Sequence, residues 1–219
     1  MGEWAKAEFG KFEFSSIGIV VAGTNRIEFE KKILSLFDKV VSSKDSVYHT
    51  HLAKKNGNLY PIVFNIYGAS AMMDVLSEMH DGGCRTVIFV GYAYGGFDDH
   101  LDVGTIVMPS KAYHFDGSYN VIYPKKKFDI PDKELVGKLR KIFKEKGIKY
   151  VQGNNISVPS VAFQLPHANK DYKKIKPVSL EMELASCLSR SKDIGIRAAG
   201  ILIISDNRKK SIISKKNSR

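Results

Sequence analysis

Residues 179–207 read SLEMELASCLSRSKDIGIRAAGILIISDN, and the two halves of this stretch carry different periods. In the first half Leu180, Leu184 and Leu188 recur at four-residue steps, which predicts a helix over Leu180–Arg190 with Glu181-Met182-Glu183 at its opening. In the second half Ala198–Ile204 is an apolar run ending in Ser205-Asp206-Asn207, which predicts a buried strand giving way to a polar turn. A helix followed directly by such a strand is the repeating unit of a layered α/β fold.

The same alternation runs back through the chain. Ile17–Val21 predicts a strand ending at Ala22-Gly23, and Arg26–Phe37 a helix capped by Thr24 or Asn25. Ser46–Ala53 and Tyr60–Ile66 predict two strands joined at Asn56-Gly57, a hairpin signal. A helix over Ala69–Met79, with Met72, Val75, Leu76 and Met79 inward, is stopped by Asp81-Gly82-Gly83. Thr86–Val90 is the most strand-like run of all and is predicted to end in a turn, Gly91-Tyr92-Ala93-Tyr94-Gly95-Gly96. A strand over Gly104–Tyr113, an amphipathic helix over Pro131–Lys146 and a strand beginning at Lys149–Gln152 complete the pattern. One domain is expected over residues 1–207, with a basic tail at 208–219.

Composition narrows the function classes. The chain has 219 residues with 43% hydrophobic and 26% charged, ordinary values for a globular protein, and no apolar run long enough to span a bilayer. No secretory signal is visible at the N-terminus, and a cytoplasmic location is expected. The two cysteines, Cys84 and Cys187, exclude a disulfide scaffold or a four-cysteine zinc site and read as buried thiols. His49-Thr50-His51 lacks a third ligand in register, so no metal is implied. Net charge is +11, but six of the positive residues lie in 208–219, and the lysine runs elsewhere read as solvated surface ahead of a nucleic-acid site; a basic protein still attracts anionic substrates such as phosphate.

Three strand ends and one helix start carry the chemistry: Gly23-Thr24-Asn25-Arg26, the Gly91–Gly96 segment, Ser205-Asp206-Asn207 and Glu181-Met182-Glu183. In α/β sheets ligands gather at such carboxyl ends. With DVGTIVMPSKAYHFDGS (102–118) between them, these segments in this order resemble the purine nucleoside and uridine phosphorylase family, over roughly Ile17 to Asn207. The resemblance implies a three-layer αβα sandwich with a mixed, largely buried central sheet. It also implies cleavage of a nucleoside's glycosidic bond by phosphate, with inorganic phosphate as co-substrate, no other cofactor, and a homo-oligomer, dimer or hexamer.

Under that resemblance Asp206 is the general acid that protonates the departing purine at N7, and Ser205 joins it at the base. As a bare residue, an aspartate ending a strand equally serves as a cap or turn carboxylate. Glu183 matches the carboxylate that holds the ribose hydroxyls, Met182 the residue packed on the sugar, and Glu181 a structural partner; an exposed first-turn glutamate and a core methionine are the plainer alternatives. The Gly23 N–H, Arg26 and Gly91 match the phosphate clamp, and Phe163 the base-stacking aromatic; a surface arginine and a core phenylalanine are the plainer alternatives.

The sequence also departs from the family. Phe89 stands where relatives carry a phosphate-binding arginine, and the Gly91 turn lacks the usual Ser or Thr, so half of the anion clamp is missing. Lys54, Lys55 or another subunit's cation is the expected substitute, and His49 or His51 the stand-in for an N-terminal histidine that relatives lend to a neighbour. The segment Gln164–Ala168 lacks the uracil-reading Gln and Arg, which favours a purine. Relatives continue with a long helix where this chain has its basic tail. Two alternatives follow: a nucleosidase that uses water, and a degenerate member that binds nucleoside, or RNA through residues 208–219.

Overall fold

The computed structural model describes residues 6, 9, 14–23, 27–42, 47–95, 101–163 and 170–207. Among the described residues ten strands form one mixed sheet: β1 (Ile17–Ala22), β2 (Lys39–Ser42), β3 (His49–Lys55), β4 (Asn58–Ile66), β5 (Thr86–Tyr94), β6 (Ile106–His114), β7 (Phe128–Asp129), β8 (Val151–Ser157), β9 (Pro177–Glu181) and β10 (Arg197–Asp206). The described helices are α1 (Ile27–Leu34), α2 (Ala69–Asp81), α3 (Ser118–Ile122), α4 (Lys133–Glu145), α5 (Lys170–Ile175) and α6 (Leu184–Asp193).

The sheet runs β10-β6-β8-β9-β5-β1-β4-β3-β2, and β10 also pairs with β5. Strands β10, β6, β8, β9 and β5 therefore close a ring, from which β1, β4, β3 and β2 extend as an open wing. β1, β4, β5 and β10 are mutually parallel where they pair, so their carboxyl ends share one edge. β9 runs antiparallel to β5, and its last residues come down onto that same edge, Leu180 opposite Tyr94.

Helices cover both faces, because successive residues of the central strands point opposite ways and nearly all are apolar. Val20, Val87, Phe89 and Leu202 pack against Met72, Val75, Leu76 and Met79 of α2 and Leu184, Cys187 and Leu188 of α6. Val21, Ile62 and Phe64 face Phe29, Ile33 and Leu34 of α1, while Met108 and Ala199 face Val136, Leu139 and Phe143 of α4. Both cysteines are buried and free.

Two local signals shape the backbone. Asn56 and Gly57 both take positive φ, 49° and 81°, as a two-residue hairpin turn matching the right-handed strand twist requires. Asp132 caps α4 by accepting from the Leu135 N–H at 2.8 Å.

Other expectations are corrected. The segment predicted as one helix from Leu180 is a strand, Pro177–Glu181, followed by a helix that begins at Leu184. Leu180 shares its four-residue step with Leu184 and Leu188 but packs with Ile156, Val158 and Tyr172 in a cluster of its own. The first helix is shorter than Arg26–Phe37, and Thr24, Asn25 and Arg26 lie outside the described residues. β5 runs four residues past Val90, so Gly91 is inside a strand rather than in a turn.

Candidate active site

Tyr94 lies between the two acidic segments: its cross-strand partners are Leu180 of β9 on one side and Asp206 of β10 on the other. With neighbouring strands about 4.8 Å apart, the backbones at Leu180 and Asp206 stand about 10 Å from each other. Residues separated by two elements in sequence thus meet across one strand end.

Asp206 is half-buried at the end of β10, and burial raises its carboxyl above the usual aspartate value, opposed in part by Ser205. The Ser205 hydroxyl, buried, lies 2.6 Å from Asp206 Oδ1 and 3.3 Å from the Ala93 carbonyl. Its nearest partner is the acid, so Ser205 orients Asp206 in this arrangement.

Glu183 is the N-cap residue of α6 and is 5% exposed, which removes the reading as an exposed first-turn glutamate. Its Oε1 accepts from the Gly68 N–H at 2.7 Å, tying α6 to the turn that follows β4 and opens α2. Burial, then the charge of Glu181, pushes its carboxyl up to about 8. Glu181 is 3% exposed and accepts four hydrogen bonds: from Asn155 Nδ2 (2.7 Å) and the Ser157 hydroxyl on Oε1, and from the N–H groups of Glu183 and Leu184 (2.7 Å each) on Oε2. Burial raises its carboxyl, and these donors oppose the rise. Two carboxyls in one dry neighbourhood cannot both ionise freely, and burial raises both. Met182, 6% exposed, packs with Ile156, Val158, Tyr172 and Leu180, so the core-methionine reading describes its position.

The phosphate-clamp residues fare differently. Gly23 ends β1 with φ 119°, but its N–H donates to the Ile66 carbonyl at 3.1 Å and extends the β1–β4 ladder, so it is engaged. Gly91 pairs with Leu202 in mid-strand. A Cβ there would lie 2.8 Å from the Phe89 ring, and Phe89 itself is fully buried in the core between the sheet, α2 and α6. Arg26 lies outside the described residues. Phe163 ends a short 3-10 turn, Val161–Phe163, beyond the end of β8, and is 52% exposed; it is not a core residue.

Sequence reasoning missed the second polar cluster, around His114. His114 is buried with its Nε2 2.8 Å from the Ser189 hydroxyl and 4.0 Å from Asp129, and its Nδ1 3.5 Å from Asp116. Burial disfavours the charged imidazole, but the Asp116 and Asp129 carboxylates outweigh it and raise its pKa. The available signal was His114-Phe115-Asp116, two polar residues on one side of an apolar strand's end; Asp129 and Ser189 are too distant in sequence to be associated with it. His49 and His51 are also accounted for: both point to Glu30, at 3.1 and 2.8 Å. Among the described residues no group of three or more His, Cys, Asp or Glu side chains is placed to hold a metal, and no helix is long and apolar enough to cross a membrane.

The phosphorylase superfamily matches residues 17–217. A DeoD-type purine nucleoside phosphorylase of Streptococcus pyogenes is 30% identical over 130 residues, 58% of this chain and 54% of that protein; the chain thus spans about half the length of the curated relatives it matches. Uridine phosphorylase of Vibrio fischeri superposes with a TM-score of 0.76 at 20% identity, covering 89% of this chain and 80% of that one. The 5′-methylthioadenosine/S-adenosylhomocysteine nucleosidase of Campylobacter jejuni superposes with a TM-score of 0.76 at 18% identity, covering 89% and 87%. The mixed sheet and the acidic segments converging on its carboxyl edge are thus accompanied by a match across most of the sequence, and the chain belongs to the phosphorylase superfamily.

Proposed function

We propose that the protein cleaves the N-glycosidic bond of a purine nucleoside with phosphate, releasing free base and ribose 1-phosphate. The observation that carries this reading is the placement of the Glu181–Glu183 segment and Asp206 on either side of Tyr94. Glu183 holds the sugar hydroxyls, a task for which a carboxyl that is protonated near neutrality can both donate and accept. A phosphate oxygen forms a bond to C1′ while the C1′–N9 bond breaks. The bonding pair passes into the purine, and Asp206, its pKa raised by burial, delivers a proton to N7. Ser205 holds one oxygen of Asp206 and leaves the other to face the base. Arg26 is the proposed cation for phosphate, and Phe163 the aromatic over the base.

A second reading, hydrolysis by water, is favoured by one observation: the place of the family arginine is filled by a buried phenylalanine, Phe89. Product analysis separates the two. Inosine, adenosine and uridine are incubated with the protein with and without phosphate. Phosphorolysis yields ribose 1-phosphate from the purine nucleosides only when phosphate is present. Free ribose formed at equal rates in both conditions establishes the nucleosidase instead, and cleavage of uridine alone overturns the purine assignment.

A further inference from the structure

Glu181 and Glu183 lie two residues apart, and both are buried, yet they have unequal surroundings. Four donors occupy Glu181, which matches the full accepting capacity of a carboxylate. A sugar hydroxyl that approached Glu181 would have to displace one of them, so the sugar falls to Glu183. The asymmetry is built by β8. Asn155 and Ser157 stand two residues apart on that strand, on one face, directly across from Ser179 and Glu181 of β9. The Asn155 amide is fixed from both sides: its Nδ2 donates to Glu181 Oε1 at 2.7 Å, and its Oδ1 accepts from the Ser179 hydroxyl at 2.9 Å. Asn155, Ser157 and Ser179 are fully buried. Ser157 also accepts from the Ala185 N–H at 2.9 Å, so the N–H groups of Glu183, Leu184 and Ala185 all end on side chains anchored by this strand pair. Those are the donors that the start of a helix cannot satisfy internally.

We propose that Asn155 is a positioning residue for sugar recognition: through Glu181 it fixes the first turn of α6 and so aims the Glu183 carboxyl at the sugar hydroxyls. This rests on the nucleoside reading above. The role is indirect, since Asn155 touches Glu181 rather than the sugar, and it therefore has a signature that loss of bulk stability lacks. Substrates with ribose hydroxyls depend on the aim of Glu183; a 2′,3′-dideoxynucleoside does not.

The test measures kcat/KM for inosine and for 2′,3′-dideoxyinosine, with phosphate, in the wild type, Asn155→Ala and Ser179→Ala, each checked for folding by thermal melting. A carboxyl misaimed by about an ångström loses between about 10-fold and 100-fold in rate. Asn155→Ala is expected to lower the inosine value by that factor and the dideoxyinosine value far less, so that the preference for the ribo substrate collapses. Ser179→Ala keeps the bond from Asn155 to Glu181 but frees the amide, and is expected to shift the preference the same way by a smaller factor. It carries the test if Asn155→Ala does not fold. A folded variant set that leaves the preference unchanged, or lowers both substrates equally, overturns the proposal while the nucleoside reading stands. A wild-type protein that cleaves neither substrate overturns both.

Discussion

At the scale of single residues, the carboxyl pair joins function to stability. A glutamate whose folded pKa stands near 8 keeps a proton that the unfolded chain has released from about 4.5 upward. The unfolded state therefore binds fewer protons through that window, and stability falls as pH rises from about 4.5 to about 8. Glu183→Gln removes this penalty and keeps an oxygen for the Gly68 N–H. Its Tm is expected to exceed that of the wild type at pH 8.5, with the difference shrinking toward pH 5; each 1 kcal/mol appears as about 2–4 °C at this chain length. Melting curves at the two pH values check this, and a variant less stable than wild type at pH 8.5 rules out the strained, protonated Glu183. The positions of Glu183 and Asp206 at element ends were legible in the sequence because an acid at the edge of an apolar run is chemically conspicuous. The backbone settings of Gly23 and Gly91 were not, because strand pairing depends on a partner elsewhere in the chain: the Gly23 N–H donates to Ile66, and Gly91 stands in register with Leu202.

At the scale of elements, α6 is held at both ends by polar contacts. Its N-terminus rests on Glu181 and Ser157, and farther along Ser189 donates to Asp129 and lies against His114, while Arg190 reaches Ser77 of α2 at 2.9 Å. Gly200 of β10 admits the start of α6 to the sheet, since a Cβ there would lie 2.6 Å from a Leu184 methyl group. When protonated, the His114 imidazole faces two buried carboxylates, Asp116 and Asp129, and Asp129 also has Lys126 at 2.6 Å and Lys192 at 3.7 Å. His114→Leu leaves Asp116 and Asp129 without that charge and is expected to cost about 3–5 kcal/mol in urea denaturation at pH 6. Because the folded pKa of His114 is raised, its stabilisation is complete below about 6.5 and fades as pH rises through the folded value. The gap between variant and wild type should therefore narrow at high pH; a loss below 1 kcal/mol at pH 6 contradicts a charged hub. Helices with their own stripe and cap, α2 and α4, were readable to within two residues. β9 was not, because a five-residue buried strand offers no period of its own, and Leu180 happened to fall in phase with the helix that follows.

At the scale of the whole molecule, closure of the five-strand ring creates the candidate site. β9 replaces β1 beside the end of β5, and β10 flanks the other side, so the sheet brings the Glu181–Glu183 segment and Asp206 to one edge. A cavity of about 380 Å³ near the start of β10, bordered by Asp132, Lys192 and Arg197, lies at the opposite end of that strand from Asp206 and contains neither acid. That the strands alternate with helices was readable from apolar runs; that they close on themselves was not, since β10–β5 and β9–β5 pairing joins segments more than 80 residues apart. The order of the motifs conveyed this topology only through the resemblance to a family in which it occurs. Formation of ribose 1-phosphate from inosine and phosphate by the wild type, Asp206→Asn and Glu183→Ala tests most directly whether the two acids serve one substrate. The account predicts product from the wild type and a fall of about 100-fold or more in each variant; wild-type rates in either folded variant contradict it.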